Sequence, residues 1–311
     1  MMRKRRVKTV EGKLGPSNFI GSLIGSAIGD SLGAQREGTY GFREVTKPGP
    51  VYTDDTAMMI SVAESLIECN GFDGAHMARL FVRSFEREPW RGYGLGPPGI
   101  FEMIKSGRKW DENPDRELYD GGSFGNGAAM RVAPVGLFYY SDPERLREAS
   151  CQSSRITHSH PLGMEGAALQ AYAVSLAIGK EQNFSDRLKD FTSVDIYRKK
   201  IDVLEKLLDK REDRERVVRE LGNGIEAFNS VPTAIFSFLA GSSFKEALIY
   251  AVSLGGDTDT IGAMTGAIAG AWWGVDRIPP EWKENLENRD YIEGLGMRMW
   301  ETVMSSQKGL F

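Results

Sequence analysis

Two short stretches far apart in the chain each crowd oxygen-bearing side chains together: Tyr52-Thr53-Asp54-Asp55-Thr56 and Gly255-Gly256-Asp257-Thr258-Asp259-Thr260. Both directly precede an apolar helical pattern. Asp and Thr are favoured helix N-caps, so capping is one use for them. A cap needs one such residue, however. Adjacent carboxylates, or a pair at i and i+2, repel one another unless a cation lies between them. Carboxylate and hydroxyl oxygens are hard ligands that suit magnesium, manganese or calcium better than zinc. Two ions sharing a carboxylate would stand ~3.5–4 Å apart. Asp259 is placed to bridge such a pair, because Thr260 on its far side could reach the second ion.

A second group of residues could hold a ligand. Gly121-Gly122-Ser123-Phe124-Gly125-Asn126-Gly127 is rich in glycine, which lets a backbone come close and present N–H groups to phosphate. A tight turn is the equal alternative. Its Ser and Asn add hydrogen-bonding groups, and the Phe124 ring could stack on a base. Asn126-Gly127 is expected to lead into a helix whose N-terminus could face an anion. His158 lies in Thr157-His158-Ser159-His160-Pro161, a polar turn before a helix, from which a histidine could reach a phosphate or a sugar hydroxyl. His76, within a helix, reads as structural. Glu37, in Gly33-Ala34-Gln35-Arg36-Glu37-Gly38, is by itself an unremarkable loop acid.

These groups need elements to hold them, and the sequence offers helices. Residues 19–32 carry Gly21, Gly25 and Gly29 four apart, and residues 261–273 repeat the device with Gly262, Gly266 and Gly270. Such glycines share one stripe of a helix, where another backbone can approach. Each costs ~1 kcal/mol in a helix interior relative to Ala, so three in one helix point to close packing, and both segments are expected to be central and buried. Residues 56–69, ended by Asn70-Gly71, and 73–85 read as amphipathic helices. Residues 143–154, 162–178, 184–221, 232–239 and 244–252 also read as helical. Within 184–221, Ile201, Leu204, Leu207 and Leu208 form one apolar face opposite a solvated charged one. Residues 128–140 begin as helix and carry Pro134, which kinks or ends a helix outside its first turn. Residues 88–99 and most of 110–122 read as loop. No run of alternating β-branched residues marks a strand, and no repeat or linker divides the chain. The expectation is an all-α chain with a single domain over 1–311, of which 1–15 is a flexible tail.

Composition narrows the function classes. Hydrophobic residues at 41% and charged residues at 26% allow a real core. The formal net charge of -4 gives no basic surface for direct nucleic-acid binding, so an anionic ligand must be met by local positive charge or metal ions. Cys69 and Cys151 form no CxxC pair and stand near no His at ligand spacing. That argues against zinc and a disulfide framework and fits a reducing, cytoplasmic location. The basic start Met1-Met2-Arg3-Lys4-Arg5-Arg6 is followed by no apolar run and reads as a solvated tail, not a signal peptide. No stretch reaches the ~20 apolar residues that span a membrane.

In order and spacing, GSLIGSAIGDSLGAQREG, YTDDTAMM, RGYG, GGSFGNGAAMRVAP, THSHPLG and GGDTDTIGAMTGAIAGAWWG resemble the ADP-ribosylglycohydrolase family, the group that includes the dinitrogenase reductase–activating glycohydrolase. The resemblance runs over residues 19–300. RGYG followed by GSFGNGAAMRV is most similar to the branch acting on O-linked (serine-type) ADP-ribose and poly(ADP-ribose). The resemblance implies a compact orthogonal multi-helix bundle with a dinuclear magnesium or manganese site in a central cleft. It implies Thr53, Asp54 and Asp55 as ligands of one ion and Asp257, Asp259 and Thr260 as ligands of the other, Asp259 being shared. Glu37 matches the mobile acid over the metals. Ser123, Gly125 and Asn126 match residues that hold the diphosphate and ribose, with backbone N–H groups from Gly122 onward. Phe124 matches an adenine-stacking aromatic, and His158 a substrate-contacting histidine. The second wall of the adenine slot, aromatic in that branch, is Leu118 here, with Tyr119 beside it.

The implied reaction is hydrolysis of the glycosidic bond linking ADP-ribose to a protein side chain or to poly(ADP-ribose), releasing ADP-ribose. Water would attack the anomeric carbon through an oxocarbenium-like transition state. Glu37, as general acid or base, and Asp55 are the expected catalytic groups. Two divalent cations, magnesium foremost and manganese second, are the expected cofactors. Two other readings stay open. One is a non-catalytic ADP-ribose-binding or crystallin-like structural member, which lost metal ligands would favour. The other is a dinuclear phosphohydrolase cutting the pyrophosphate, which would yield AMP and ribose phosphate.

Overall fold

The computed structural model describes residues 14–39, 41–42, 45–210 and 213–308. The tail expected over 1–15 lies outside these residues except for Leu14 and Gly15. Among the described residues are fifteen α-helices, no strand and two isolated β-bridges. The helices are α1 (Pro16–Gly33), α2 (Asp54–Cys69), α3 (Gly74–Arg87), α4 (Gly96–Lys105), α5 (Ala133–Phe138), α6 (Pro143–Arg155), α7 (Pro161–Ile178) and α8 (Phe184–Phe191). Then come α9 (Asp195–Lys210), α10 (Arg214–Leu221), α11 (Ala227–Ala240), α12 (Phe244–Val252), α13 (Thr258–Trp273), α14 (Pro280–Glu284) and α15 (Arg289–Lys308).

The two Gly-striped helices form the centre. Gly21, Gly25, Gly29 and Gly33 of α1 lie against Gly270, Gly266, Gly262 and Thr258 of α13. Rising numbers meet falling ones, so the helices run antiparallel. A Cβ on Gly25 would overlap the Gly266 carbonyl, and one on Gly266 would overlap that of Gly25. Polar cross-links hold the same register: Asn18 donates to the Ala271 carbonyl at 2.8 Å, Ser22 to that of Ala267 at 2.9 Å, and Thr258 to that of Gly33 at 2.8 Å. This register sets the C-terminal turn of α1, with Asp30, beside the N-terminal turn of α13, with Asp259. Helices α7, α11 and α12 pack on α13, while α15 packs on α1 and α2. Trp272, Trp282, Phe19, Phe238 and Phe244 fill the core between them.

Several boundaries differ from expectation. Residues 184–221 form three helices. Thr192 ends the first, its hydroxyl accepting from Val194 N–H at 3.2 Å, and Asp213 caps the last, accepting from Arg216 N–H at 2.7 Å. Residues 128–131 are turn, Val132 is the N-cap and α5 starts at Ala133, because Pro134 fits only in a first turn. Asn126-Gly127 therefore opens no helix and presents no helix N-terminus to a ligand. The loop expected to Gly99 ends at Gly96, where Pro97 and Pro98 fall in the opening turn of α4. No helix of the described residues is long and apolar enough to cross a membrane.

The contact between α1 and α13 makes a paired prediction. Gly266→Ala must push two backbones apart and is expected to cost ~1–3 kcal/mol or more. A Cβ on Gly294, exposed in α15, meets nothing within 4 Å, so Gly294→Ala is expected to be neutral or to stabilise by up to ~1 kcal/mol. Urea midpoints of the two variants check this. Equal midpoints would contradict it.

Candidate active site

The opening turn of α2 is already satisfied without its own carboxylates. Both oxygens of Asp30 accept from Thr53 N–H, at 3.1 and 3.0 Å. One also accepts from Thr56 N–H at 3.1 Å and from the Thr56 hydroxyl at 2.5 Å. Thr53 Oγ1 accepts from Asp55 N–H at 3.2 Å, and the Arg91 carbonyl from Asp54 N–H at 2.8 Å. Every donor that a cap would serve is taken, so Asp54 and Asp55 are free for other work. Arg91 is fixed in turn. Its guanidinium forks onto Glu287 with two 2.7 Å bonds, reaches Glu88 at 2.7 Å and stacks on the Tyr52 ring.

The opening of α13 is built differently. Gly255 and Gly256 sit at φ of 73° and 77°, a region open to glycine at little cost. Asn223 braces this turn by donating to the Leu254 and Gly255 carbonyls at 3.1 and 2.9 Å and accepting from Asp257 N–H at 2.9 Å. Gly38 and Thr39 pair with Gly256 through bonds of 3.0 and 3.1 Å, which tethers Glu37 to the same turn. Asp257 holds the N-cap position but makes no capping bond. Its carboxylate instead accepts from Asn126 Nδ2 at 2.5 Å. Oxygens of Glu37, Asp257 and Asp259 lie within 4.8 Å of one another. Across from them, the Thr260 hydroxyl stands 3.3 and 3.2 Å from the two Asp55 oxygens. The two acidic stretches thus converge on one place.

Six carboxylates share this place: Asp30, Glu37, Asp54, Asp55, Asp257 and Asp259. None has a lysine or arginine ion pair among the described residues. Burial, then the charges of Asp259 and Asp30, push Asp55 well above the carboxylate range. Burial and Asp257 raise Asp259 to about 9, and burial and Asp30 raise Asp54 to about 7. Burial raises Asp30 to about 6 and also lifts Asp257 and Glu37. A pocket that repels its own charge and offers only hard oxygens fits divalent cations.

The glycine-rich loop forms the adjoining wall. Asp115, fully buried, accepts with one oxygen from Ser123 N–H at 2.8 Å and Ser159 N–H at 2.7 Å, which clamps the loop to the histidine turn. Gly125 bridges to Glu226, and Asn126 N–H reaches the Ile225 carbonyl at 2.9 Å. Gly122, at φ 92°, lies against Ser159 and His160 with no room for a Cβ. Asn126 spans from Ser230 at 3.0 Å to Asp257, joining this wall to the carboxylates. Phe124 is 45% exposed, flanked by the edge of His160 at 5.5 Å and by Phe228 at 6.1 Å. Leu118 and Tyr119 are also exposed and lie beside Gly99 and Gly96 at the start of α4. His158 is buried under Gly125 and Gly127, and burial pushes its pKa down to about 3, which keeps it neutral. Asp30, Asp115 and Asn223 were not singled out from the sequence. Asp30 alone carried a signal, a solitary carboxylate inside an apolar, Gly- and Ser-rich helix.

Comparison with known proteins follows the same outline. The sequence model of the ADP-ribosylglycohydrolase family matches residues 14–308. The ADP-ribosylhydrolase ARH3 of Homo sapiens is 36% identical, over 93% of this chain and 94% of the human protein. That of Xenopus tropicalis is 37% identical over 92% and 95%. The ADP-ribosylarginine hydrolase Tri1 of Serratia proteamaculans is 27% identical over 90% of this chain and 78% of its own. Among solved structures, an ADP-ribosylglycohydrolase-related protein complex superposes with a TM-score of 0.75 at 25% identity, covering 93% of this chain and 98% of that one.

The raised carboxylate pKa values carry a definite sign. These groups bind protons more tightly in the folded state, so their contribution is full below the unfolded range near about pH 4 and is lost as pH climbs through the folded values, about 9 for Asp259. The metal-free protein is expected to lose Tm steadily between about pH 5 and about pH 9. Magnesium or manganese is expected to raise Tm, more at about pH 8 than at about pH 5.5, because bound ions displace protons. EDTA should reverse the gain. A Tm indifferent to both ions and to EDTA would contradict the site.

Proposed function

This chain belongs to the ADP-ribosylglycohydrolase family, and we propose that it hydrolyses the glycosidic bond joining ADP-ribose to a serine-type hydroxyl of a modified protein, or to the next unit of poly(ADP-ribose), with two divalent cations. The observation that carries this reading is the Thr260 hydroxyl within 3.3 Å of both Asp55 oxygens, which joins the two acidic stretches. Thr53, Asp54 and Asp55 would hold one ion, and Asp257, Asp259 and Thr260 the other, with Asp259 shared and magnesium preferred to manganese. When bound, such a pair supplies orientation of the distal ribose hydroxyls and a more acidic water.

The chain's own residues account for the remaining steps. The N–H groups of Gly122, Ser123, Gly125 and Asn126 already have acceptors within the protein. The diphosphate would therefore be received, without a basic surface, by the N–H groups of Phe124 and Gly127 on a loop held in place by Asp115. Ser123 and Asn126 add side-chain contacts, and Phe124 offers its half-exposed ring to adenine. Glu37, beside Asp257 and Asp259, has its pKa raised by burial and by the Asp257 charge, which suits a group that takes a proton from water or gives one to the leaving oxygen. Asp55 and its neighbours stabilise positive charge on the ribose as the bond breaks. The O-linked and polymeric substrates are favoured by the RGYG loop, and the Serratia protein named for the arginine linkage is less similar to this chain than the ADP-ribosylhydrolases ARH3. Free Cys69 and Cys151 suit a cytoplasmic location.

Asp259→Asn is expected to lower kcat by about 10²-fold or more while leaving the Tm of the metal-free protein about equal at neutral pH and higher towards about pH 9, where the Asp259 charge would otherwise appear. The assay presents serine-linked, arginine-linked and polymeric substrates side by side and identifies products by mass. Intact ADP-ribose from the serine-linked or polymeric substrate is the expected result. AMP would support pyrophosphate cleavage instead, and full turnover by Asp259→Asn would contradict the metal assignment.

A further inference from the structure

Arg131 is fully buried and no carboxylate pairs with it. One guanidinium nitrogen donates to Thr157 Oγ1 at 2.7 Å and to the Ser153 carbonyl at 3.3 Å. The other approaches Met58 Sδ at 3.6 Å, and Nε meets no acceptor. The cation lies 4.5 Å over the Phe81 ring. A buried charge with so little compensation is costly, and an apolar side chain of similar size would pack there as well. Packing alone therefore does not explain an arginine. Burial lowers its pKa to about 9, which still leaves it protonated at neutral pH.

The consequence passes through Thr157. A guanidinium has five N–H donors and no acceptor, so the Thr157 hydroxyl must accept from it. The hydroxyl could accept a second bond, but it is buried and among the described residues its single hydrogen has only His158 Nδ1, at 2.8 Å, as an acceptor. An Nδ1–H imidazole would leave that hydrogen unsatisfied, so the hydroxyl donates to Nδ1. A neutral imidazole whose Nδ1 accepts carries its proton on Nε2. That Nε2 lies 3.4 Å from where a Cβ would stand on Gly125 and 2.9 Å from where one would stand on Gly127. It therefore sits directly under the glycine-rich loop.

We propose that Arg131 is a positioning residue: through the Thr157 hydroxyl it fixes His158 as the Nε2–H tautomer, so that the ring presents a donor, never a lone pair, to the oxygen-rich ligand of the Gly121–Gly127 loop. The opposite tautomer would set a nitrogen lone pair against phosphate or ribose oxygens. The identity of the ligand rests on the proposed function, whereas the tautomer does not.

Long-range proton–nitrogen NMR of the full-length protein labelled with ¹⁵N-histidine reads the tautomer directly. The chain has three histidines, and loss of one signal set in His158→Gln assigns the wanted ring. The wild type is expected to show only the Nε2–H form between about pH 6 and about pH 8. Thr157→Val keeps the shape but removes the hydroxyl. It should give a mixture of tautomers and weaken ADP-ribose binding by about tenfold, and Thr157→Ser should restore both. Arg131→Met should match Thr157→Val, and the threonine pair decides the matter if that variant fails to fold. An Nδ1–H wild type, or a Thr157→Val protein with wild-type tautomer and affinity, would overturn the proposal. A wild type that shows the Nε2–H form yet binds no ADP-ribose would uphold the tautomer and count against the functional reading.

Discussion

Six carboxylates, three of them buried (Asp30, Asp55 and Asp259), with no cationic side chain among them repel one another, and much of this architecture exists to keep them together. The antiparallel contact of α1 and α13 is the main device. Because glycine meets glycine along that seam, the two axes come close enough for Asp30 at the end of one helix to neighbour Asp259 at the start of the other. Asp30 then serves the opening turn of α2, which brings Asp54 and Asp55 to the same place without using them as caps. The repulsion is not relieved inside the protein. It is left as a demand for cations from solution, and a site of this kind gains affinity from the instability it would otherwise carry.

Ligand recognition follows from the same charge balance. An acidic protein facing a diphosphate cannot rely on its surface potential. In the proposed reading the loop wall would meet the ligand with uncharged groups: the Phe124 backbone N–H, the Ser123 hydroxyl and a histidine kept neutral by burial. Buried Asp115 and half-buried Asn223 provide rigidity, each joining two segments that share no helix. Neutral donors held in fixed positions spend little conformational entropy on binding and would add no positive charge to compete with cations at the carboxylates.

How much of this was legible from the sequence depends on the range of the signal. The glycine stripes of α1 and α13 are local and periodic, so their burial and the close approach of another backbone could be read from spacing, whereas that each is the other's partner came from the structure. The acidic clusters were visible because they exceed what capping requires, and the structure explains the excess by assigning the caps to Asp30 and Thr53. Asp30 itself went unread because its role depends on α2, which is distant in sequence. Asp115 sits in a single 3-10 turn, Pro114–Glu117, and Asn223 in a loop, where an Asp or Asn is unremarkable until its partners are known. The breaks at Thr192 and Asp213 were hidden by an apolar face that continues across them, since tertiary packing can align consecutive short helices as one stripe. The helix expected after Asn126-Gly127 failed for a local reason, the first-turn requirement of Pro134. The motif NGAAMRV marked the region but gave no hint that Arg131 would be buried with no ion-pair partner, near only the charge of Asp54.

The most direct test of the central claim is anomalous diffraction at the manganese edge from crystals grown with manganese. The account predicts two peaks ~3.5–4 Å apart, one within ligand distance of Asp55 and the other of Asp257, with Asp259 between them. No peak at these carboxylates, or a single peak that Asp55 does not touch, would contradict it.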